Sequence, residues 1–130
     1  MQIHITSSDG VPIYIQIVNQ VKHLVASGRL SPGEELPPIR VLAETLVVNP
    51  NTVARAYLEL ERAGIVTKRH GSGTYVAENR PMLSRREKLK TLTPRADALL
   101  VEAGQLDIPL DEVMVLLQER NENIYPGAKK

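Results

Sequence analysis

Asn49, Asn51, Thr52 and Arg55 stand within two helical turns of one another and combine amide, hydroxyl and guanidinium groups. On the first turns of a helix, such side chains can donate to and accept from base edges in a DNA groove, and Arg55 one turn on can reach a guanine edge or a phosphate. Asn49 and Thr52 also suit a plain helix cap, which is the other reading of that pair. Arg40 is placed to bind phosphate or a base beneath the same helix, or to pair with Glu44 four residues on. Arg69 and His70 precede Gly71 and Gly73, whose small size lets the backbone approach a phosphate or enter a minor groove. The same run would also make an ordinary hairpin loop.

Other chemistries find no support. The chain has no Cys, which excludes a disulfide framework, a thiolate zinc site and a cysteine nucleophile. Its Gly71-Ser72-Gly73 stretch lacks the later Gly-Lys-Thr of a phosphate cradle, and His4, His23 and His70 are scattered without metal-ligand spacing. No enzyme activity, metal or cofactor is therefore expected. With no Phe, no Trp and four Tyr, a broad aromatic platform for single strands is also excluded. No apolar run approaches the roughly 20 residues of a membrane span, and the first residues lack the pattern of a signal peptide, so a cytoplasmic location away from membranes is expected.

The chain is 130 residues long and 42% hydrophobic, enough for one small core and an appendage. Its charge is nearly balanced, 16 Lys+Arg against 15 Asp+Glu, but it is segregated. Arg80, Arg85, Arg86, Lys88, Lys90 and Arg95 outnumber Glu78 and Glu87, whereas from Asp97 to Asn123 seven acidic residues face only Arg120. Such asymmetry suits contact with a polyanion and equally suits a solvated helix face.

These groups need elements to hold them. Ile13, Ile17, Val21, Leu24 and Val25 predict a helix opened by Pro12 and closed by Gly28. After the Ser31-Pro32-Gly33 turn, Leu36-Pro37-Pro38 opens a shorter helix carrying Ile39, Leu42, Ala43 and Leu46. Asn49-Pro50 starts a third, running to about Ala63 with Val53, Ala56, Tyr57 and Leu60 inward and Gly64 as its terminator. From Ile65 the pattern becomes a β-hairpin, Ile65–Arg69 and Thr74–Ala77 around His70–Gly73. Three helices and a hairpin in this order make a winged helix-turn-helix.

Beyond Pro81 the helical pattern returns. Leu89, Leu92, Ala96, Leu99 and Ala103 recur at heptad spacing, Gly104 closes that helix, and a second helix carries Val113, Met114, Leu116 and Leu117. Pro94 either breaks the first of these helices or kinks it. Two helices this short enclose little core, so the stripes predict a partner surface, either a second copy of the chain or the chain's own first domain. The expected fold class is thus α+β, mainly α: a winged helix-turn-helix domain over 1–77, then a short two-helix dimerisation tail over 78–130, with Leu89, Leu92, Ala96, Leu99, Ala103, Leu116 and Leu117 at the dimer seam.

The runs Leu36–Ala43, Val48–Tyr57, Leu60–Gly64 and His70–Val76, taken together, resemble the GntR family of bacterial transcription regulators over roughly residues 10 to 77. The Asn-Pro-Asn-Thr-Val-Ala-Arg-Ala-Tyr string with a short helical tail is similar to the YtrA-type branch, whose members are dimers that often regulate transporter operons. The resemblance implies that Arg40, Asn49, Asn51, Thr52, Arg55, His70 and Gly71 occupy DNA-contacting positions, and Arg69 joins them on the hairpin reading above. It also implies a homodimeric regulator of double-stranded DNA, a repressor acting on an inverted repeat, with a small-molecule effector left unidentified. Three positions depart from the family. Pro38 replaces a capping Ser, Val47 stands where the inter-helix turn commonly has Gly, and Ala54 replaces a base-reading Arg found outside this branch. If the turn keeps a left-handed residue, the β-branched Val47 is strained. The rival to DNA is a winged helix used for protein contact, which would expose apolar anchors in place of Asn51, Thr52 and Arg55.

Overall fold

The computed structural model of the protein describes residues 1–7, 10–69, 71–78 and 83–127. They form α1 (Ile13–Ala26), α2 (Ile39–Leu46), α3 (Pro50–Arg62), β1 (Val66–Lys68), β2 (Thr74–Val76), α4 (Arg85–Gln105) and α5 (Leu110–Ile124). The chain divides into two compact units, Met1–Leu83 and Ser84–Lys130.

In the first unit α3 packs against both α1 and α2. Val53, Ala56, Tyr57 and Leu60, at helical spacing, are buried against Ile17, Val21 and Val25 of α1 and Leu42 and Ala43 of α2 in a single apolar core. The Tyr57 hydroxyl enters this core because it donates to the Pro37 carbonyl at 2.7 Å, and burial pushes its pKa upward. The chain's first residues are strapped to α1 by two glutamines one turn apart. Gln20 accepts from the His4 N–H and donates to the His4 carbonyl, and Gln16 does the same for Thr6. The side-chain amides thus imitate a neighbouring strand, and the alternation leaves Ile3 buried and Ile5 partly buried against the core.

The hairpin pairs Val66 with Val76 and Lys68 with Thr74. On its other side β2 is bonded to the segment leading into α2: Leu36 N–H donates to Thr74, and Val76 N–H to Glu34, each at 2.8 Å. The wing is therefore fixed to the entry of the helix-turn-helix. At Gly73 the Glu35 carboxylate lies close to the backbone, and a Cβ there would force that flexible side chain to swing aside.

Three helices end in the same pair of bonds, the Schellman arrangement, each around a left-handed residue. At α3 Ile65 N–H donates to Leu60 and Gly64 N–H to Glu61, with Gly64 at φ 76°. At α4 Ile108 donates to Ala103 and Asp107 to Gly104, with Asp107 at φ 60°. At α2 Val48 donates to Ala43 and Val47 to Glu44, with Val47 at φ 56°, ψ 52°. Glycine takes this conformation without strain and aspartate at modest cost, but a β-branched residue is held there only by its surroundings. Val47 is 88% exposed and loses no packing on truncation. Val47→Gly is therefore expected to stabilise the fold by about 1 kcal/mol, the relieved strain less the larger entropy that glycine loses on folding. Urea denaturation measures it, and an unchanged or lower midpoint would show that the strain at Val47 is no larger than the entropy cost of glycine there.

The second unit corrects one expectation and resolves another. Gly104 does not close α4: it lies inside the helix, which runs on to Gln105 and terminates around Asp107. A single glycine near a helix end costs only about 1 kcal/mol against alanine, and Asp107 followed by Pro109 is a stronger stop. Pro94 does not break the helix either, since α4 is continuous through it. Proline removes its own N–H from the ladder and crowds the carbonyl four residues back, a cost of about 3 kcal/mol that the continuous helix bears on an exposed stretch. The helix starts at a capping box, in which Ser84 accepts from the Glu87 N–H and the Glu87 carboxylate accepts from the Ser84 N–H.

Candidate nucleic-acid interface

The N-terminal turn of α3 is built by its cap. The Asn49 backbone is extended, and its side-chain oxygen accepts from the Asn51 N–H at 2.8 Å while Pro50 occupies the first turn. Asn49 thus caps the helix and keeps its side-chain NH2 donors. With Val53, Ala56, Tyr57 and Leu60 directed into the core, the opposite stripe of α3 faces solvent. Asn51 and Arg55 lie on it, both exposed, and Thr52 beside them is half-buried. Asn51 and Arg55 are therefore together on the side of the helix away from its core contacts, with Thr52 at the border of the core face.

Arg40 is exposed in the first turn of α2 and makes no ion pair with Glu44; the ion pairs among the described residues are Arg62–Glu59 and Arg69–Glu78. Its guanidinium remains available for another acceptor. In the wing Arg69 is exposed at the end of β1, its backbone N–H donates to the Gly73 carbonyl at 3.0 Å, and Gly71 turns at φ 71°. His70 lies outside the described residues.

Contacts across elements add three residues that the sequence pattern did not single out. The Arg55 guanidinium carbon lies 3.8 Å from the centroid of the Tyr14 ring on α1. Arg69 sits 4.0 Å over the Tyr75 ring and reaches the Glu78 carboxylate at 3.3 Å. The signal for Tyr14 was an aromatic residue just off the apolar stripe of α1, and for Tyr75 its place opposite Thr67 in the hairpin.

In the second unit α4 packs on α5, and Ala103 and Val113 are its buried apolar residues. Leu99 is half-buried, whereas Leu89 and Leu92 are each 55% exposed, Ala96 is exposed, and Leu116 and Leu117 remain nearly half exposed. The outer part of the heptad stripe thus has no cover within this unit. Among the described residues no cluster of three or more His, Cys, Asp or Glu is placed to hold a metal ion, and no helix is long and apolar enough to cross a membrane.

Residues 13–76 match the model of the family described as bacterial regulatory proteins, gntR family. The chain is 35% identical over 98% of both chains to the HTH-type transcriptional repressor YtrA of Bacillus subtilis. A transcriptional antiterminator from Listeria monocytogenes has a similar structure, with a TM-score of 0.59 at 32% identity, covering 100% of this chain and 97% of that one. YtrA from Sulfolobus acidocaldarius, a GntR-family transcription factor, gives 0.53 at 30% identity over 94% and 98%. The DNA-binding domain of AraR, solved in complex with operator ORE1, gives 0.50 at 25% identity over 59% and 94%. The winged helix-turn-helix geometry, the family match across it and the full-length likeness to YtrA lead to one conclusion: the chain belongs to the GntR family of bacterial regulatory proteins, as a DNA-binding transcription regulator and not an enzyme.

Proposed function

We propose that the protein is a homodimeric repressor that binds an inverted-repeat operator in the cytoplasm, each protomer placing α3 in the major groove of one half-site. The observation that carries this reading is the capped N-terminal turn of α3, with Asn51 and Arg55 exposed opposite the buried stripe. In this role Asn51, Thr52 and Arg55 meet base edges, Asn49 and Arg40 meet the flanking backbone, and Arg69, His70 and Gly71 of the wing follow the neighbouring phosphates. Two similar proteins support it by name, YtrA as a repressor and AraR through its operator complex. The uncovered apolar stripe of α4, with Leu116 and Leu117 of α5, forms the dimer seam, so that 78–130 acts as the dimerisation domain and 1–77 as the DNA-binding domain. An effector would have to bind two arrangements of the dimer unequally in order to shift them.

Selection of genomic DNA fragments by the purified protein tests the proposal. The expected result is enrichment of an inverted repeat with half-sites about one helical turn, roughly 34 Å, apart or a multiple of it. Absence of any enriched sequence would count against operator recognition and favour a winged helix used for protein contact.

A further inference from the structure

Arg55 has no carboxylate partner among the described residues; its guanidinium is held over the face of a ring belonging to a different helix. That distinction matters for a DNA-reading arginine. An ion pair consumes the N–H groups that would otherwise bind a base or a phosphate, and a neighbouring carboxylate repels the phosphate backbone. A ring face attracts the cation through its quadrupole and leaves the N–H donors at the guanidinium edge unspent. It also restricts a long side chain that otherwise loses several rotatable bonds' freedom on binding, so part of the ordering is done before DNA arrives. The wing offers a contrast within the same domain: Arg69 lies over Tyr75, but Glu78 takes one of its donors.

We propose that Tyr14, on α1 and outside the helix-turn-helix itself, is a positioning residue of the DNA interface that holds the Arg55 guanidinium ready for its DNA acceptor. This rests on the reading of Arg55 given above. Tyr14 is half-buried in the first turn of α1, beside Gln16, whose amide fixes the backbone at Thr6 and Val11. The ring therefore sits on a part of the domain secured both to the core and to the N-terminal strap. The ring and not the hydroxyl supplies the attraction, which separates this role from a hydrogen bond donated by Tyr14.

The test is fluorescence-anisotropy titration of the selected operator fragment, and of a scrambled one, with the full chain carrying Tyr14→Phe, Tyr14→Leu or Tyr14→Met, each alone and with Arg55→Ala. Thermal melting of each variant checks the fold, and Met supplies a second ring-free side chain should Leu unfold the domain. Tyr14→Phe is expected to bind like the parent, and the ring-free variants to lose about threefold in operator affinity. In the Arg55→Ala background the same ring removal should change nothing, since the partner is gone. Parent-like binding by a folded ring-free variant would overturn the proposal. So would a loss that persists undiminished beside Arg55→Ala, because the ring would then act on DNA directly or on the fold. If Arg55→Ala alone leaves binding intact, the assignment of Arg55 itself fails, an outcome distinct from a failure of Tyr14.

Discussion

Arg55→Ala is expected to weaken binding to the selected operator by about 2 kcal/mol, roughly thirtyfold, while lowering the melting temperature by only a few degrees. Exposure and position separate the two effects. Arg55 lies on the solvent side of α3, opposite the core stripe, and among the described residues its guanidinium forms no ion pair and lies over the Tyr14 ring. Truncation therefore removes a surface cation–π interaction of about 0.5–1 kcal/mol and no core packing. On DNA, by contrast, an arginine bidentate to a guanine edge contributes discrimination of about 1–3 kcal/mol. The variant also distinguishes base from backbone. If the guanidinium meets a base, truncation should lower operator affinity while scrambled DNA is bound as before. If it meets a phosphate, both fragments should be bound more weakly alike, and the slope of log K against log salt should fall by about 1. Unchanged affinity on both fragments would remove Arg55 from the interface.

The second large effect is expected in the tail. Leu92→Asp together with Leu99→Asp should convert a dimer to a monomer and lower operator affinity by roughly a hundredfold, as two linked half-site interactions become independent ones. In the second unit the side chains that cover one another are few, with Ala103 and Val113 the buried apolar residues of a unit containing two helices. Leu89 and Leu92 stand more than half exposed at heptad positions, an arrangement that buries apolar surface only against another helix. A carboxylate at the centre of that seam would be desolvated without a partner, which disfavours association strongly. Light scattering during gel filtration reads the mass directly. A double variant that remains dimeric would refute the assignment of the seam to α4.

Much of this was legible in the chain because it is written in local chemistry. Asn49 followed by Pro50 announces the start of α3, and the cap forms with the Asn49 oxygen on the Asn51 N–H. The buried positions of α3 follow from their helical spacing, so the exposure of Asn51 and Arg55 follows as well. Val47 is the informative departure. The turn between α2 and α3 retains its left-handed residue although the side chain there is β-branched, because two backbone bonds at the helix end and the packing of α2 on α3 fix the turn. Gly104 misled for the opposite reason: a glycine permits a left-handed terminator without requiring one, and α4 ends instead at Asp107, before Pro109. The Ser84-x-x-Glu87 capping box was readable and marks the start of α4 more sharply than Pro81 does. Tyr14 could not be paired with Arg55 from spacing, since that pairing joins side chains of α1 and α3 and exists only once the two helices have packed.

The most direct test of operator recognition by a dimer is titration of the selected fragment with wild-type protein at two salt concentrations, with the scrambled fragment alongside. A dimeric operator-binding protein should saturate at two protomers per inverted repeat, bind it at least about a thousandfold more tightly than scrambled DNA, and release it steeply as salt rises. Equal and weak binding to both fragments, or saturation at one protomer per repeat, would contradict operator recognition by a dimer.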